Sequence, residues 1–521
     1  MRTTPSLSRR QIITASGALL LGGSAAIVGG IEATRRVGAH RPATPGMFSL
    51  GVAAGDPVAD GFVMWTRLAR DPLHGGGMDA QAVDVEWQVA ADERFRRVVR
   101  TGTAVATAED AHSVHVEVAG LVAATPHWYR FRVGRDTSTI GTVRTAPTND
   151  QPTARLRFAL ASCQNYEQGF FSAHAHLARE EVDAVLFVGD YIYEGAPAKA
   201  LRSGIVRLHG GAGEAVDLAT YRDRYAQYRS DPSLQAAHAA AAWIVTPDDH
   251  EVSNNYAGLV GHGGAAVSTE RFSARRAAAY RAWWEHMPVR EAQRPTGPNA
   301  TIHRRLAYGD LATVHVLDSR QHRSGPAATD EAAAAPERTM LGPEQEAWLA
   351  AGMRRSGTTW DLLANQVMVA SRNVHNLDRD GRFDRWQGYP AARSRLLATL
   401  AEASNPVVLT GDLHATWASD LFAVAEDPTS PVVAAEIVGT SLSSGGDQDR
   451  GLFRAGFDAF RPANPQWKLF DSRRGYTLLD VTPGRIDVSC RSVDSVLVAS
   501  SPISTTARLV IQAGHPGVAI A

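Results

Sequence analysis

The rhythm of hydrophobic and polar positions changes near residue 150. Between residues 48 and 146 the chain falls into short segments of period two. Val83, Val85, Trp87 and Val89 alternate with Asp84, Glu86 and Gln88, and the pattern recurs over 113–118 and 129–133. Successive side chains of a strand point to opposite faces, so such alternation marks half-buried strands, here separated by turn residues. An antiparallel β-sandwich of about 100 residues is predicted for 46–148. After Pro152 the strands become largely apolar, at 156–161, 182–188, 243–245, 312–317 and 406–409. A helix is predicted over 170–181, and Ala- and Arg-rich helical stretches lie around 236–242 and 273–285. Strands separated by helices predict a layered α/β domain over 153–515.

One after another, the apolar strands stop at residues that bind metals or move protons: Ser162-Cys163-Gln164, Gly189-Asp190, Asp248-Asp249-His250-Glu251, Asp318 and Gly411-Asp412-Leu413-His414. Ligands of α/β domains sit at the carboxyl ends of strands. An Asp after a strand is ordinary turn chemistry, but turns do not account for Cys, Asp, Asp-Asp-His and Asp-x-His at four such ends. Asp190 can bridge two cations with its two oxygens, and the Tyr193 phenolate is a hard donor suited to a ferric ion. Asp249 and Asn255 offer oxygens to a calcium-like ion. His250 is placed to protonate a leaving alkoxide or to orient a phosphoryl group. In an extended segment Asp412 and His414 would project to the same side. Cys163 reads either as a thiolate held by cations or as a buried structural thiol. Together these groups suit two metals about 3.5–4 Å apart that clamp a phosphoryl group and activate a water for in-line attack. Arg276 is the expected counter-charge for the phosphate oxygens, with Arg275 a near equal.

Composition narrows this picture. The 53 basic and 54 acidic residues nearly cancel, which gives no support for nucleic acid as a specific partner or for a membrane surface. Two cysteines, Cys163 and Cys490, give no disulfide framework. A single bridge between them is compatible with an oxidising compartment, and the strand-end position of Cys163 argues against it. Residues 1–31 hold no acidic side chain; Ser8-Arg9-Arg10-Gln11 precedes an apolar run over 12–31. Residues 1–39 are therefore read as a twin-arginine export signal and linker, against the alternatives of an uncleaved anchor helix or a chance Arg pair. Cleavage after Ala33 and after Ala39 both remain open. No later run of about 18 apolar residues suggests a second membrane span.

These motifs resemble the PhoD-type alkaline phosphatase and phosphodiesterase family of calcineurin-like metallophosphoesterases. The resemblance rests on Ser162-Cys163-Gln164, Gly189-Asp190-Tyr191-Ile192-Tyr193-Glu194, Asp248-Asp249-His250-Glu251 with Asn254-Asn255, Leu317-Asp318-Ser319-Arg320-Gln321, Trp386 with Gly388-Tyr389-Pro390, and Thr410-Gly411-Asp412-Leu413-His414. It implies a four-layer α/β/β/α sandwich preceded by a fibronectin-III-like β-sandwich. It also implies Fe3+ held by Cys163, Asp190, Tyr193 and His414, and Ca2+ held by Asp190, Asp249, Asn255 and Asp412. The implied protein is exported by the twin-arginine machinery to become secreted, periplasmic or cell-wall associated. As a monomer it would hydrolyse phosphomonoesters and phosphodiesters. A phospholipase D-like diesterase acting on a phospholipid is the alternative within the family, and an exported phosphate- or calcium-binding protein without turnover is the alternative outside it. Gly439-Thr440-Ser441-Leu442-Ser443 lacks the last Gly of a nucleophile elbow, and no Gly-x-x-x-x-Gly-Lys loop is present, which argues against serine-hydrolase and nucleotide-driven chemistry.

Overall fold

The structure, a computed structural model, describes residues 46–261, 267–373, 384–446 and 450–521; the expected export signal and both cleavage points lie outside them. Two large mixed sheets, of ten and seven strands, face one another. At the centre of the first, the strands Leu156–Ala161, Ala184–Phe187 and Ala242–Val245 run parallel and adjacent. The second is built on the parallel series Ala312–Val316, Trp360–Ala364, Val407–Thr410 and Val432–Val438.

Period-two geometry sorts these side chains into layers. Phe158, Leu160, Leu186 and Ile244 meet Val314, Leu362, Leu409 and Ile437 in one core between the sheets. Their neighbours Ala159, Val185, Phe187 and Trp243 point the other way, into a cluster shared with the helices Leu218–Arg229, Pro232–Ala240 and Thr269–His286. Leu363, Val408 and Ala434 pack against Pro343–Met353 and Pro390–Ala401 on the far side of the second sheet. Covered on both faces, the parallel strands need apolar residues at consecutive positions, which is why their sequence lacks alternation. Side-chain caps start the helices: Asp217 forms a capping box with Thr220, Asp231 precedes Pro232, and Ser268 accepts from the Arg271 N–H.

The predicted N-terminal strands occur as Val83–Ala90, Ser113–Val118 and Pro126–Val133. They are divided between two sheets. Val52–Val58, Gly61–Arg67 and Ser113–Val118 extend the ten-stranded sheet through parallel pairing of Ala54 with Ala242, whereas Val83–Ala90, Val98–Ala106 and Pro126–Val133 belong to a separate five-stranded sheet. Phe62, Met64 and Val116 of the first set share a core with Val85, Val89, Tyr129 and Phe131 of the second. The N-terminal sandwich thus lends one of its sheets to the rest of the protein. At the other end, the strands Gly475–Val481, Arg485–Val493, Ile503–Gln512 and His515–Ile520 form an antiparallel meander that joins the ten-stranded sheet where Leu479 pairs with Phe158. Among the described residues no helix is long and apolar enough to cross a membrane.

Candidate active site

Register decides which loops become neighbours. Phe187 is paired with Ala161 on one side and with Val245 on the other. The three chains therefore leave the sheet level with one another, carrying Cys163, Asp190 and the 248–251 segment. In the facing sheet Thr410 pairs with Val438, so Asp412 and His414 emerge beside the loop that holds Ser441 and Ser444. Main-chain bonds fasten the loops: Cys163 N–H donates to Gly189 O at 3.0 Å, and Leu442 N–H donates to Ser162 O at 3.0 Å. Gly189 is required where it stands. Its φ is +108°, and a Cβ there would lie 2.3 Å from Cβ of Asp248, so any side chain would push apart two of the converging loops.

At this junction ligand atoms of Cys163, Asp190 and His414 lie within 4.8 Å of one another, as do those of Asp190, Asp249 and His250. Asp190 belongs to both groups. The Tyr193 hydroxyl lies 2.9 Å from Asp190 Oδ2 and 3.0 Å from His414 Nε2. His414 Nδ1 is 2.9 Å from the carbonyl oxygen of Gly445; a carbonyl only accepts, so Nδ1 carries the proton and Nε2 presents a lone pair. Burial and the Arg474 charge lower the His414 pKa to about 3, which keeps that lone pair available. The single phenolic proton cannot satisfy both the carboxylate and the imidazole. Asp190 Oδ1, also buried, has no partner. Thiol, phenol, carboxylate and imidazole therefore converge with more lone pairs than protons, the condition under which a cation fits.

Backbone strain gathers at the same place. Cys163, Asp190, Asn255, Asp412 and His414 have φ of 58°, 59°, 51°, 66° and 51°. Left-handed conformations at non-glycine residues cost about 1–3 kcal/mol each and persist where the surroundings impose them. Glu251 is one such restraint. Its buried carboxylate accepts N–H bonds from Asp190 at 3.2 Å, Tyr191 at 2.6 Å and Asp248 at 2.8 Å. Glu194 accepts from Asn254 N–H at 2.7 Å and lies 2.7 Å from His250 Nδ1, leaving Nε2 of that ring for the Asp190–Asp249 side. Ser444 Oγ is 2.7 Å from both the Tyr193 hydroxyl and the Cys163 carbonyl. Arg320, fully buried, binds Asp248 Oδ1 at 2.5 Å and Asp384 through both terminal nitrogens. Burial pushes Asp249 up, but Arg320 and His250 outweigh it and hold the carboxyl below its ordinary range.

The family described as PhoD-like phosphatase matches residues 158–490, and its N-terminal domain matches residues 33–147. The chain belongs to the PhoD-like phosphatase family. Alkaline phosphatase D of Bacillus subtilis (strain 168) is 44% identical to it over 482 residues, 90% of this chain and 82% of the relative. A solved structure of PhoD superposes with a TM-score of 0.86 at 41% identity, covering 93% of each chain.

Within this PhoD-like chain several expectations need correction. Arg276 does not face the cluster. Its guanidinium is spent on Pro298 O at 2.7 Å, Gly258 O at 2.7 Å, Gln321 O at 3.3 Å and Asn299 Oδ1 at 2.9 Å, where it ties three loops together. Arg275 is likewise committed, to Tyr221, Val252 and Glu214. Among the described residues Arg385 also stands beside the cluster, with Nε 3.6 Å from Asp412 Oδ2. Asp412 and His414 do not share a strand face either. The strand ends at Thr410 and both residues are left-handed, so two local turns, not the pleat, aim them. Asn255 also donates its main-chain N–H to Asp249 Oδ2 at 2.6 Å. Cys163 and Cys490 are free and buried. The sequence assigns no individual role to Glu251, Glu194, Ser444 or Arg320; both glutamates and Arg320 lie inside the strand-end motifs, and that placement is their signal in the sequence.

Proposed function

We propose that the protein is an exported, metal-dependent phosphoesterase that hydrolyses phosphomonoesters and phosphodiesters by attack of water. The observation that carries this reading is Asp190, shared by two clusters of ligand atoms in a family of phosphatases. Cys163, Asp190, Tyr193 and His414 would hold Fe3+, for which a phenolate and a thiolate are fitting donors, and Asp190, Asp249, Asn255 and Asp412 would hold Ca2+. Bound there, the cations supply Lewis acidity to the phosphoryl oxygens and acidify the attacking water.

The chain's own residues do the rest. Burial opposes protonation of His250, yet Glu194, Asp249 and Asp190 together raise its pKa well above the ordinary value. With Nδ1 held by Glu194, the ring turns Nε2 toward the cluster, from where a protonated imidazole would give its proton to the leaving alkoxide as the phosphorus–oxygen bond breaks. Glu194 holds the ring through Nδ1 and compensates its charge, the orienting role of a carboxylate behind a catalytic histidine. Gly445 O fixes the His414 tautomer.

Export by the twin-arginine route and a monomeric state complete the proposal; Arg9-Arg10 ahead of the apolar run supports the first. The four-layer plan and the fibronectin-III likeness of the N-terminal strands belong to it as well, supported by the alternating burial of the sheets. One feature favours a second reading, a phospholipase D-like diesterase: a cleft of about 270 Å³ adjoins Ser444 and Gly445 and is walled in part by Val493, Val496 and Leu497, a surface suited to the apolar diacylglycerol part of a phospholipid, which stays on the phosphoryl group while the headgroup alcohol leaves.

Initial rates on p-nitrophenyl phosphate, bis(p-nitrophenyl) phosphate and a choline phospholipid, each with calcium and with excess chelator, test the proposal. Calcium-dependent cleavage of the first two is expected, with turnover lost in chelator. Cleavage of the phospholipid alone selects the second reading. No turnover of any of the three by metal-loaded protein overturns both and favours a binding protein.

A further inference from the structure

The corrected position of Arg276 leaves the phosphoryl group without its expected counter-charge, and Arg385 has the properties that role requires. Its side chain is 13% exposed, and its Nε and Nη1 are buried without a hydrogen-bond partner. Among the described residues its carboxylate neighbour is Asp412, with Oδ2 3.6 Å from Nε, too far for a hydrogen bond. Buried guanidinium N–H groups without acceptors are costly, and a charged group kept in that state beside a ligand cluster calls for an anion. Three other arginines of the described residues near the site are taken. Arg320 is spent on Asp248 and Asp384, Arg323 on Ser319 O and Asp384, and Arg474 on main-chain oxygens of Ser444, His414 and Ser472. The main chain of Arg385 is also well anchored. It caps the short helix Trp386–Gly388, whose Trp386 indole donates to Asn365 Oδ1 at 3.2 Å, just beyond the strand Trp360–Ala364.

We infer that Arg385 is the substrate-binding arginine, its guanidinium N–H groups donating to non-bridging oxygens of the phosphoryl group beside Asp412. The inference rests on the phosphoesterase reading and names one residue within it. Guanidinium is suited to this task because it is always charged and presents several donors in one plane, whereas ammonium is a point charge. An arginine that grips oxygens already present in the ground state and retained in the product should govern KM and product inhibition more than kcat.

The test uses metal-loaded wild type, Arg385→Gln and Arg385→Lys, with KM, kcat, inhibition by inorganic phosphate, calorimetric phosphate binding, metal content and melting temperature measured for each. Arg385→Gln is expected to raise KM and weaken phosphate binding by about 10- to 100-fold, the loss typical of a hydrogen bond to a charged group, with metal content unchanged. Arg385→Lys should recover only part of the loss, and it keeps the comparison informative if the Gln variant folds poorly. Unchanged phosphate binding in both variants overturns the inference. So does loss of bound metal with phosphate affinity per loaded site preserved, which would make Arg385 a counter-charge for Asp412. A wild type that binds phosphate but turns over no phosphoester defeats the phosphoesterase reading by itself, and the calorimetric comparison still decides for or against Arg385.

Discussion

Replacing Asp190 by Asn is expected to lower phosphoester turnover by about 10²- to 10³-fold, the scale on which loss of one element of transition-state electrostatics is felt, while leaving the protein folded. Asp190 is the carboxylate common to both ligand clusters, so its loss disrupts two sites at once. Burial pushes its pKa up; His250 opposes the rise, and Asp249, Asp248 and Glu251 add to it. An ionised Asp190 is therefore disfavoured in the protein without cations, and an uncharged isostere relieves that repulsion. The melting temperature of the metal-free variant should equal or exceed that of metal-free wild type, measured side by side with activity. This is the expected signature of a residue kept for function at the expense of stability. A variant that loses activity and melts well below wild type would instead place Asp190 among the structural residues.

Glu251→Gln is expected to be the most destabilising isosteric change in the site. The two carboxylate oxygens accept three main-chain N–H groups, from Asp190, Tyr191 and Asp248. A glutamine of the same size offers one oxygen and turns the other position into a donor, so at least one buried N–H faces another N–H. An unmade buried hydrogen bond costs about 1–3 kcal/mol, and adding the donor–donor contact gives roughly 2–4 kcal/mol for the substitution. Burial raises the Glu251 pKa to about 7 while the N–H donors lower it. A side chain that is costly to ionise yet accepts three N–H bonds is present to organise the backbone. Thermal or denaturant unfolding measures the loss. Activity should fall with it, because Asp190 sits in a left-handed conformation that Glu251 helps to impose. A variant with wild-type stability would remove Glu251 from that role.

What was legible in the sequence follows from what is local. The apolar strands at 156–161, 243–245 and 406–409 carry the mark of burial on both faces, and the structure has them at Leu156–Ala161, Ala242–Val245 and Val407–Thr410. Cys163, Asp190, Tyr193, Asp249, His250 and His414 stand at or just beyond strand ends, and in-register parallel pairing is enough to bring such ends together. Arg276 and Arg385 show where this reasoning stops. Both are arginines near plausible motifs, and only the carbonyls of Pro298, Gly258 and Gln321 decide that Arg276 is consumed. Ser444 reaches Tyr193 across 251 positions, and Ala54 pairs with Ala242; neither contact leaves a trace in the local pattern. The C-terminal meander is different. Ile486, Val488 and Cys490 are buried and alternate with Asp487, Ser489 and Arg491 in Arg485–Val493. Its period-two pattern is local and therefore legible, though the apolar-run criterion predicts no strand there. The left-handed turns at Asp412 and His414 had no signal beyond the residue types, since Asp, Asn and His are the side chains that best tolerate that conformation.

A metal centre on Cys163, Asp190, Tyr193 and His414 is tested most directly by elemental analysis and the visible spectrum of the purified, active protein. Stoichiometric iron together with calcium is predicted, with a visible absorption band from Tyr193-to-iron charge transfer. A fully active protein that is colourless and free of iron would contradict the proposed centre.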